Sequence, residues 1–178
     1  MDPIRKALRT AWPFLDDMLT ELRLRPTPEQ RQVIARMPWL NGMANIDGRL
    51  SSQRVAAVWL LWAVLSRPGT QGVVLCPAGS SPSTFLTIVT DILSRITALA
   101  GYYTISPTGI QFSDDPAWRI YDGTFEYGVV RTSVPIFAVL LGCDDIEACG
   151  AEEAVRRATP SLATIVRVWN AEQLPASV

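Results

Sequence analysis

The stretch that decides the fold runs from Gly48 to Pro77 and reads GRLSSQRVAAVWLLWAVLSRPGTQGVVLCP. Its middle part, Val55 to Leu65, is apolar throughout, which is typical of a helix buried between a sheet and neighbouring helices. Pro68-Gly69 then ends the helix. The run Gly72 to Cys76 is typical of a strand with both faces buried. A buried helix followed by such a strand predicts an α/β fold with a parallel sheet.

Two helices are predicted before this stretch. Apolar residues at spacings of three and four from Ile4 to Leu22 indicate an amphipathic helix that is interrupted at Pro13. Thr27 is expected to cap a second helix over Glu29 to Met37, with Pro28 at the first helical position.

The predicted elements continue on both sides of the decisive stretch. Residues Trp39 to Asp47, rich in Asn and Gly, are expected to form a loop, and Ser51 or Ser52 to cap the long apolar helix. The later elements are a helix at Thr84–Ala100, short strands at Tyr102–Ile105, Gly109–Phe112, Trp118–Tyr121 and Tyr127–Arg131, an apolar strand at Val134–Leu141, a helix at Ala151–Ala158 and a strand at Leu162–Trp169.

These elements predict a single α/β domain over residues 1–178, with a mostly parallel central sheet flanked by helices. We expect the N-terminal helices within residues 1–37 and the sheet-and-helix core within residues 48–173. The short strands after residue 100 alternate in polarity and should pair antiparallel near one edge of the sheet.

Composition narrows the class of protein. Hydrophobic residues make up 48% of the chain, which argues against disorder, and the net charge of −1 gives no overall reason to bind nucleic acid. The longest apolar run is shorter than the roughly 20 residues that a membrane span needs. We expect a soluble, intracellular protein with no membrane partner.

Histidine is absent, and the three cysteines, Cys76, Cys143 and Cys149, show no CxxC spacing. The sequence therefore excludes Ser-His-Asp and Cys-His catalysis and gives no support to a metal site. Cys76 precedes a loop of backbone donors at Pro77 to Ser81 and could be a nucleophile. No base lies beside it in the sequence, so a buried, unreactive thiol is the simpler interpretation.

Residues Met43 to Leu50 have the position of a phosphate-binding P-loop without its working residues. Such a loop needs glycines, a Lys for the β/γ-phosphates and a Ser or Thr for magnesium. Met43, Arg49 and Leu50 stand where the first Gly, the Lys and the Ser or Thr should be. Lys6 is the sole lysine of the chain, so no other register restores the motif.

The order of landmarks resembles the ATPase domain of tailed-bacteriophage terminase large subunits, the motors that drive DNA into capsids. The resemblance covers roughly residues 27–173. Its landmarks are the Gln-bearing helix TPEQRQ (27–32), the helix end LLWAVLSRPG (60–69), the strand end VVLCP (73–77) and the apolar strand with an acidic pair, FAVLLGCDD (137–145).

The resemblance implies roles for four residues. Gly48 and Arg49 would match the last Gly and the Lys of the P-loop, and Asp144 and Asp145 the acidic pair that supports magnesium and orients the attacking water. The second acid is usually Glu in the family, and Leu50 offers no magnesium ligand. An Asp pair after a strand is also a common turn or helix cap, and an unrelated α/β domain remains open.

The resemblance favours a non-catalytic, phage or prophage-derived protein without a cofactor, located in the host cytoplasm or in a virion. It would bind another protein, either a virion or packaging component or a host factor that it inhibits. The alternative is an atypical NTPase, linked to DNA packaging, that uses ATP and magnesium. Trp39, Arg156 and Arg157 are candidate partner contacts, since Trp and Arg are enriched at binding hot spots; a solvated helix face is the simpler interpretation of the two arginines.

Overall fold

The computed structural model describes residues 15–28, 31–32, 43–46, 50–67, 69–77, 83–113, 115, 117–124, 136–142, 145–158 and 163–168. The predicted strand Tyr127–Arg131 and the start of the N-terminal helix lie outside these residues. The helices are α1 (Leu15–Glu21), α2 (Leu50–Ser66), α3 (Ser83–Ser94), a 3₁₀ turn (Thr97–Leu99) and α4 (Asp145–Ala158). The strands are β1 (Met43–Ile46), β2 (Gln71–Cys76), β3 (Tyr103–Ser106), β4 (Gly109–Phe112), β5 (Arg119–Thr124), β6 (Ile136–Leu141) and β7 (Ala163–Val168).

The described strands form a seven-stranded sheet in the order β1-β7-β6-β2-β5-β4-β3. The five strands from β1 to β5 in this order pair parallel, whereas β4 and β3 pair antiparallel at the far edge. The predicted mostly parallel sheet with an antiparallel edge is therefore confirmed.

Helices cover both faces of the sheet. On one face α2 lies at the centre of a core that also contains side chains of α1 and α3, while α4 packs on the opposite face over β6 and β7. Every α2 residue from Val55 to Leu61 is buried, as expected for a helix enclosed by the sheet and other helices.

Two tryptophans tie α2 to the sheet. The Trp59 ring meets Phe137 of β6 edge-on, with centroids 6.0 Å apart. The indole Nε1 of Trp118 donates a 2.8 Å hydrogen bond to the Val64 carbonyl in the last turn of α2, which also accepts a 3.3 Å bond from the Arg67 N–H. Both tryptophans are only 1% exposed, so they belong to the core.

Turns separate the described elements. Helix α2 stops at Ser66 and Gly69 adopts a φ of +79°, in agreement with the helix end predicted at Pro68-Gly69. Pro107 and Thr108 connect β3 to β4. Asp115 lies in a turn in which its Oδ1 accepts a 2.9 Å hydrogen bond from the Ala117 N–H.

Several boundaries differ from the sequence prediction. Met43–Ile46, expected within a loop, is a strand stabilised by pairing with β7, a long-range contact that local composition does not reveal. Helix α2 begins at Leu50, so Ser51 and Ser52 lie inside the helix and neither is its cap. Helix α4 begins at Asp145 instead of Ala151, and continues through Gly150.

The predicted helix Thr84–Ala100 was also wrong at its end. Helix α3 stops at Ser94 and a separate 3₁₀ turn follows at Thr97–Leu99. The turn keeps Ile96 and Leu99 buried, so the apolar pattern of the sequence continues after the helix has ended.

Candidate functional site at the carboxyl edge of the parallel strands

The carboxyl ends of β1, β7 and β6 lie side by side at one edge of the sheet. Ile46 ends β1 and Leu141 ends β6, and both are paired in register with Val168, the last residue of β7. Two strand spacings therefore separate the ends of β1 and β6, about 9.5 Å.

Both outer strands continue into helices after three residues. Residues 47–49 connect β1 to α2, and residues 142–144 connect β6 to α4. Helices α2 and α4, which follow these connections in the chain, cover opposite faces of the sheet. In open α/β sheets a crevice outside the strands at such a point is the usual place for a ligand, and two helix N-termini give it a positive potential.

The fold thus brings together the two segments that the sequence singled out. Gly48, Arg49 and Asp144 lie outside the described residues, as does Trp39. Asp145 is the first residue of α4, and its side chain is likewise outside the description. Their proposed roles therefore stay predictions, although the backbone places both segments at the same edge.

The connection between β1 and α2 is short for a phosphate-binding loop. A GxxxxGK[ST] motif laid on Met43 to Leu50 would place its first four positions in β1 and its last in α2. The backbone of Met43–Ile46 pairs with β7. Residues 47–49 alone connect the two elements, and the apolar Leu50 stands at the position of the magnesium ligand. These residues do not fit a nucleotide with magnesium in the manner of a P-loop.

Arg167 is a residue near this edge that the sequence interpretation missed. It precedes Val168 in β7, is only 3% exposed, and lies in register between Asn45 of β1 and Leu140 of β6. Alternation along β7 puts it on the α4 face together with Ile165. Its signal in the sequence is a single charge within the apolar run 162–169, since a buried charge is costly unless it is paired.

Cys76 ends β2 at the same edge and is buried, with 3% of its surface exposed. Removal from water raises the pKa of the thiol above its ordinary value, and the negative charge of nearby Asp122 raises it further. The thiolate, which is the reactive form, is therefore disfavoured. These properties agree with the expected unreactive thiol.

Arg156 and Arg157 lie in the last turn of α4, at the end remote from the candidate edge. Arg156 Nε donates a 2.8 Å hydrogen bond to Glu152 Oε1, and Arg157 Nη2 lies 3.5 Å from Glu153 Oε1. Both are ion pairs between residues four apart on one helix, which stabilise such a helix modestly. A role in partner binding stays a prediction for both.

The described part of the chain contains neither a metal-binding cluster nor a membrane-spanning helix. No group of three His, Cys, Asp or Glu side chains is placed to hold a metal ion there. None of the helices described is long and apolar enough to cross a membrane.

Comparisons with known proteins identify the fold. No protein-family model and no curated protein matches the sequence. Among solved structures, a mutant form of the large terminase ATPase domain from Thermus phage P74-26 is similar, with a TM-score of 0.62 and 14% identity. The similarity covers 85% of this chain and 68% of the terminase chain. At this identity it shows that the two chains share the α/β fold.

Proposed function

We propose that this domain is a non-catalytic relative of terminase ATPase cores, derived from a phage or prophage, that acts by binding another protein. The observation that carries the proposal is the connection between β1 and α2. The fold is that of a terminase ATPase domain, yet three residues stand where a phosphate-binding loop would have to wrap a triphosphate.

The chemistry of that position supports the loss of nucleotide binding. A P-loop holds phosphates with backbone N–H groups that no strand uses, together with a Lys and a hydroxyl for magnesium. Met43–Ile46 pair with β7, and Leu50 has no oxygen in its side chain. Arg49 supplies charge, but its planar guanidinium is a different phosphate ligand from a compact ammonium.

The partner that we propose is a structural or packaging component of a virion, or a host factor that the domain inhibits. A domain that keeps a motor fold without its chemistry retains the outer surfaces by which such folds meet neighbours. The two versions differ in when binding occurs. A packaging component should co-purify with capsid, portal or tail proteins, whereas an inhibitor should bind its host factor as a free monomer.

The alternative is an atypical NTPase that uses ATP and magnesium. It is favoured by the position of the ends of β1 and β6 at one edge of the sheet, because Arg49 and Asp144 follow these strands in the sequence. A thermal-shift titration with ATP and magnesium distinguishes the two functions, with Arg49→Ala and Asp144→Ala as matched variants.

The expected result is no shift for the native chain or for either variant. A ligand at 100 times its dissociation constant stabilises the folded state by about 2.7 kcal/mol. For a domain of this size that corresponds to a rise in melting temperature of roughly 5–10 °C. A magnesium-dependent rise of this size that both substitutions abolish would overturn the non-catalytic proposal and establish the alternative.

A further inference from the structure

The edge strand β3 is the most exposed apolar element in the described part of the chain. Ile105 is 54% exposed and Tyr102, just before the strand, is 39% exposed, and these are the large apolar side chains that face solvent among the described residues. Strand β3 pairs with β4 on one side and ends the sheet on the other. Unpaired strand edges are templates for pairing with a further strand.

The hydrogen bonds between β3 and β4 show which backbone groups of β3 point away from β4. The Ser113 N–H donates a 2.8 Å bond to the Tyr102 carbonyl, so Tyr102 and Ser113 form a hydrogen-bonded antiparallel pair. Such pairs alternate along a ladder, and the register pairs Thr104 with Gln111 and Ser106 with Gly109. The N–H and C=O groups of Tyr103 and Ile105 therefore point away from β4.

These outward groups match a second copy of the same strand. In an antiparallel pair centred on Thr104, Tyr103 of one copy faces Ile105 of the other, and each such pair exchanges two hydrogen bonds. All four outward N–H groups of the two copies are then used. A centre at Tyr103 or at Ile105 uses fewer, because the chain turns at Gly101 and Pro107 has no N–H.

The side chains favour the same register. It places Tyr103 opposite Ile105 and Thr104 opposite Thr104. Pairs of an aromatic with a β-branched residue, and pairs of two threonines, are favourable across neighbouring strands. No charged residue occurs from Tyr102 to Gly109, so two copies meet without repulsion between like charges.

A groove beside the strand can accommodate the apolar side chains of the second copy. It has a volume of about 200 Å³ and is lined by Leu86 of α3 and by Ile105, Pro107 and Ile110 of the β3–β4 hairpin, with Thr and Ser side chains completing it. Tyr103 and Ile105 lie on the same face of the strand, the face that α3 covers.

From these observations we infer that β3 is a self-association edge. Two copies of the chain pair antiparallel through Tyr103 to Ile105, about a two-fold axis at Thr104, and join their sheets into one. The contact is short, so the dimer of the isolated domain is weak and forms at high protein concentration or within a larger assembly. The inference is independent of the proposed function.

A disulfide at the two-fold axis tests this arrangement. In the proposed pair the two Thr104 Cα atoms lie about 4.5 Å apart, within the range that a disulfide spans. Thr104→Cys, in a background with Cys143→Ser and Cys149→Ser, is oxidised mildly at high concentration and examined by non-reducing electrophoresis. Gln111→Cys is the matched control, because its two copies would lie three strand spacings apart, about 14 Å.

We expect a disulfide dimer for Thr104→Cys and none for Gln111→Cys. Equal dimer yields from the two variants, or no dimer from either, would overturn the inference. Binding of an extended peptide from another protein to β3 without self-pairing would give the second of these results.

Sedimentation velocity over a concentration series supplies the second test. Ile105→Pro removes an N–H that points away from β4, so the dimer loses two hydrogen bonds while the ladder to β4 keeps its own. We expect roughly thirty-fold weaker dimerisation, with native circular dichroism. Ile105→Lys keeps the N–H and replaces an exposed side chain, and it should also weaken the dimer. This second variant keeps the test valid if the Pro variant misfolds. Unchanged self-association in both variants would refute the proposed edge.

Discussion

Ile46 and Leu141, which end β1 and β6, face the same residue, Val168, from opposite sides. This relationship fixes the level at which the chain leaves the sheet on both sides of β7. It places the strand ends that precede Arg49 and Asp144 at a common edge, about 9.5 Å apart. The connection after Ile46 has only three residues before α2 begins.

Introducing the Lys and Thr of a P-loop should not create nucleotide binding. Arg49→Lys with Leu50→Thr returns the ammonium and the hydroxyl, but the backbone of Met43–Ile46 remains engaged with β7. We therefore expect no thermal shift of the double variant with ATP and magnesium, at concentrations up to several times those of the native titration.

The control for this prediction is the same double variant titrated with magnesium alone. A magnesium- and ATP-dependent rise in melting temperature would contradict it. That result would mean that residues 47–49 and the start of α2 are sufficient to hold the phosphates. The native Arg49 and Leu50 alone would then prevent the native chain from binding nucleotide.

The extent to which sequence predicts this fold follows from where each element obtains its stability. Strand β2, nearly all of β6 and the segment Val55–Leu61 of α2 are buried, so their apolar runs identify them directly. Strand β1 was missed because four residues with a polar Asn45 are stabilised by pairing with β7, a contact more than 100 residues away along the chain.

The candidate site likewise combines features that the local sequence indicates with one that depends on long-range packing. The sequence singled out the segments that follow β1 and β6, because the acidic pair follows an apolar strand and Arg49 precedes an apolar helix, and the roles of these residues stay predictions. It did not predict Arg167, since an arginine in a short strand is ordinarily placed at the solvent-exposed face. The strand order β1-β7-β6 buries that position between two neighbours.

Trp118→Phe should destabilise the fold more than its loss of volume explains. The substitution removes the 2.8 Å hydrogen bond to the Val64 carbonyl, which keeps its 3.3 Å bond from the Arg67 N–H, so the expected loss is that of one net hydrogen bond, about 0.5–1.5 kcal/mol. Trp59→Phe is the matched control, because Trp59 is equally buried and its contact with Phe137 is between rings. Urea unfolding should show Trp118→Phe to be less stable than the control by about 0.5–1.5 kcal/mol. Equal losses would mean that the hydrogen bond contributes nothing net.

Two glycine-to-alanine substitutions should have opposite effects. Gly150 lies inside α4, is exposed, and an added Cβ meets nothing within 4 Å. Gly150→Ala should therefore raise the free energy of unfolding by about 0.5–1 kcal/mol, the difference in helix propensity.

Gly72 in β2, unlike Gly150, is enclosed by neighbouring side chains. A Cβ there would lie 2.9 Å from Ile120 Cγ1 and 3.0 Å from Val64 Cγ2, so Gly72→Ala should destabilise by about 1–3 kcal/mol. Thermal and urea unfolding of both variants measure the two changes. A stabilising Gly72→Ala would show that β2 and α2 have room to separate, and a destabilising Gly150→Ala would show that α4 is strained at this position.

Stability should fall in alkaline solution partly because of Cys76. Burial, and to a lesser extent the charge of Asp122, raises the pKa of this thiol in the folded state. Below the pKa of an unfolded thiol, about 8.5, both states keep the proton and the stability is unaffected. Above it the unfolded state loses the proton first, so the free energy of unfolding decreases by up to about 1.4 kcal/mol per pH unit until the folded pKa is passed. Urea unfolding at pH 7.5 and 9.5 should show a larger decrease for the native chain than for Cys76→Ala, whose lower starting stability cancels in the comparison. Parallel decreases in the two proteins would mean that the buried thiol titrates as freely as an exposed one.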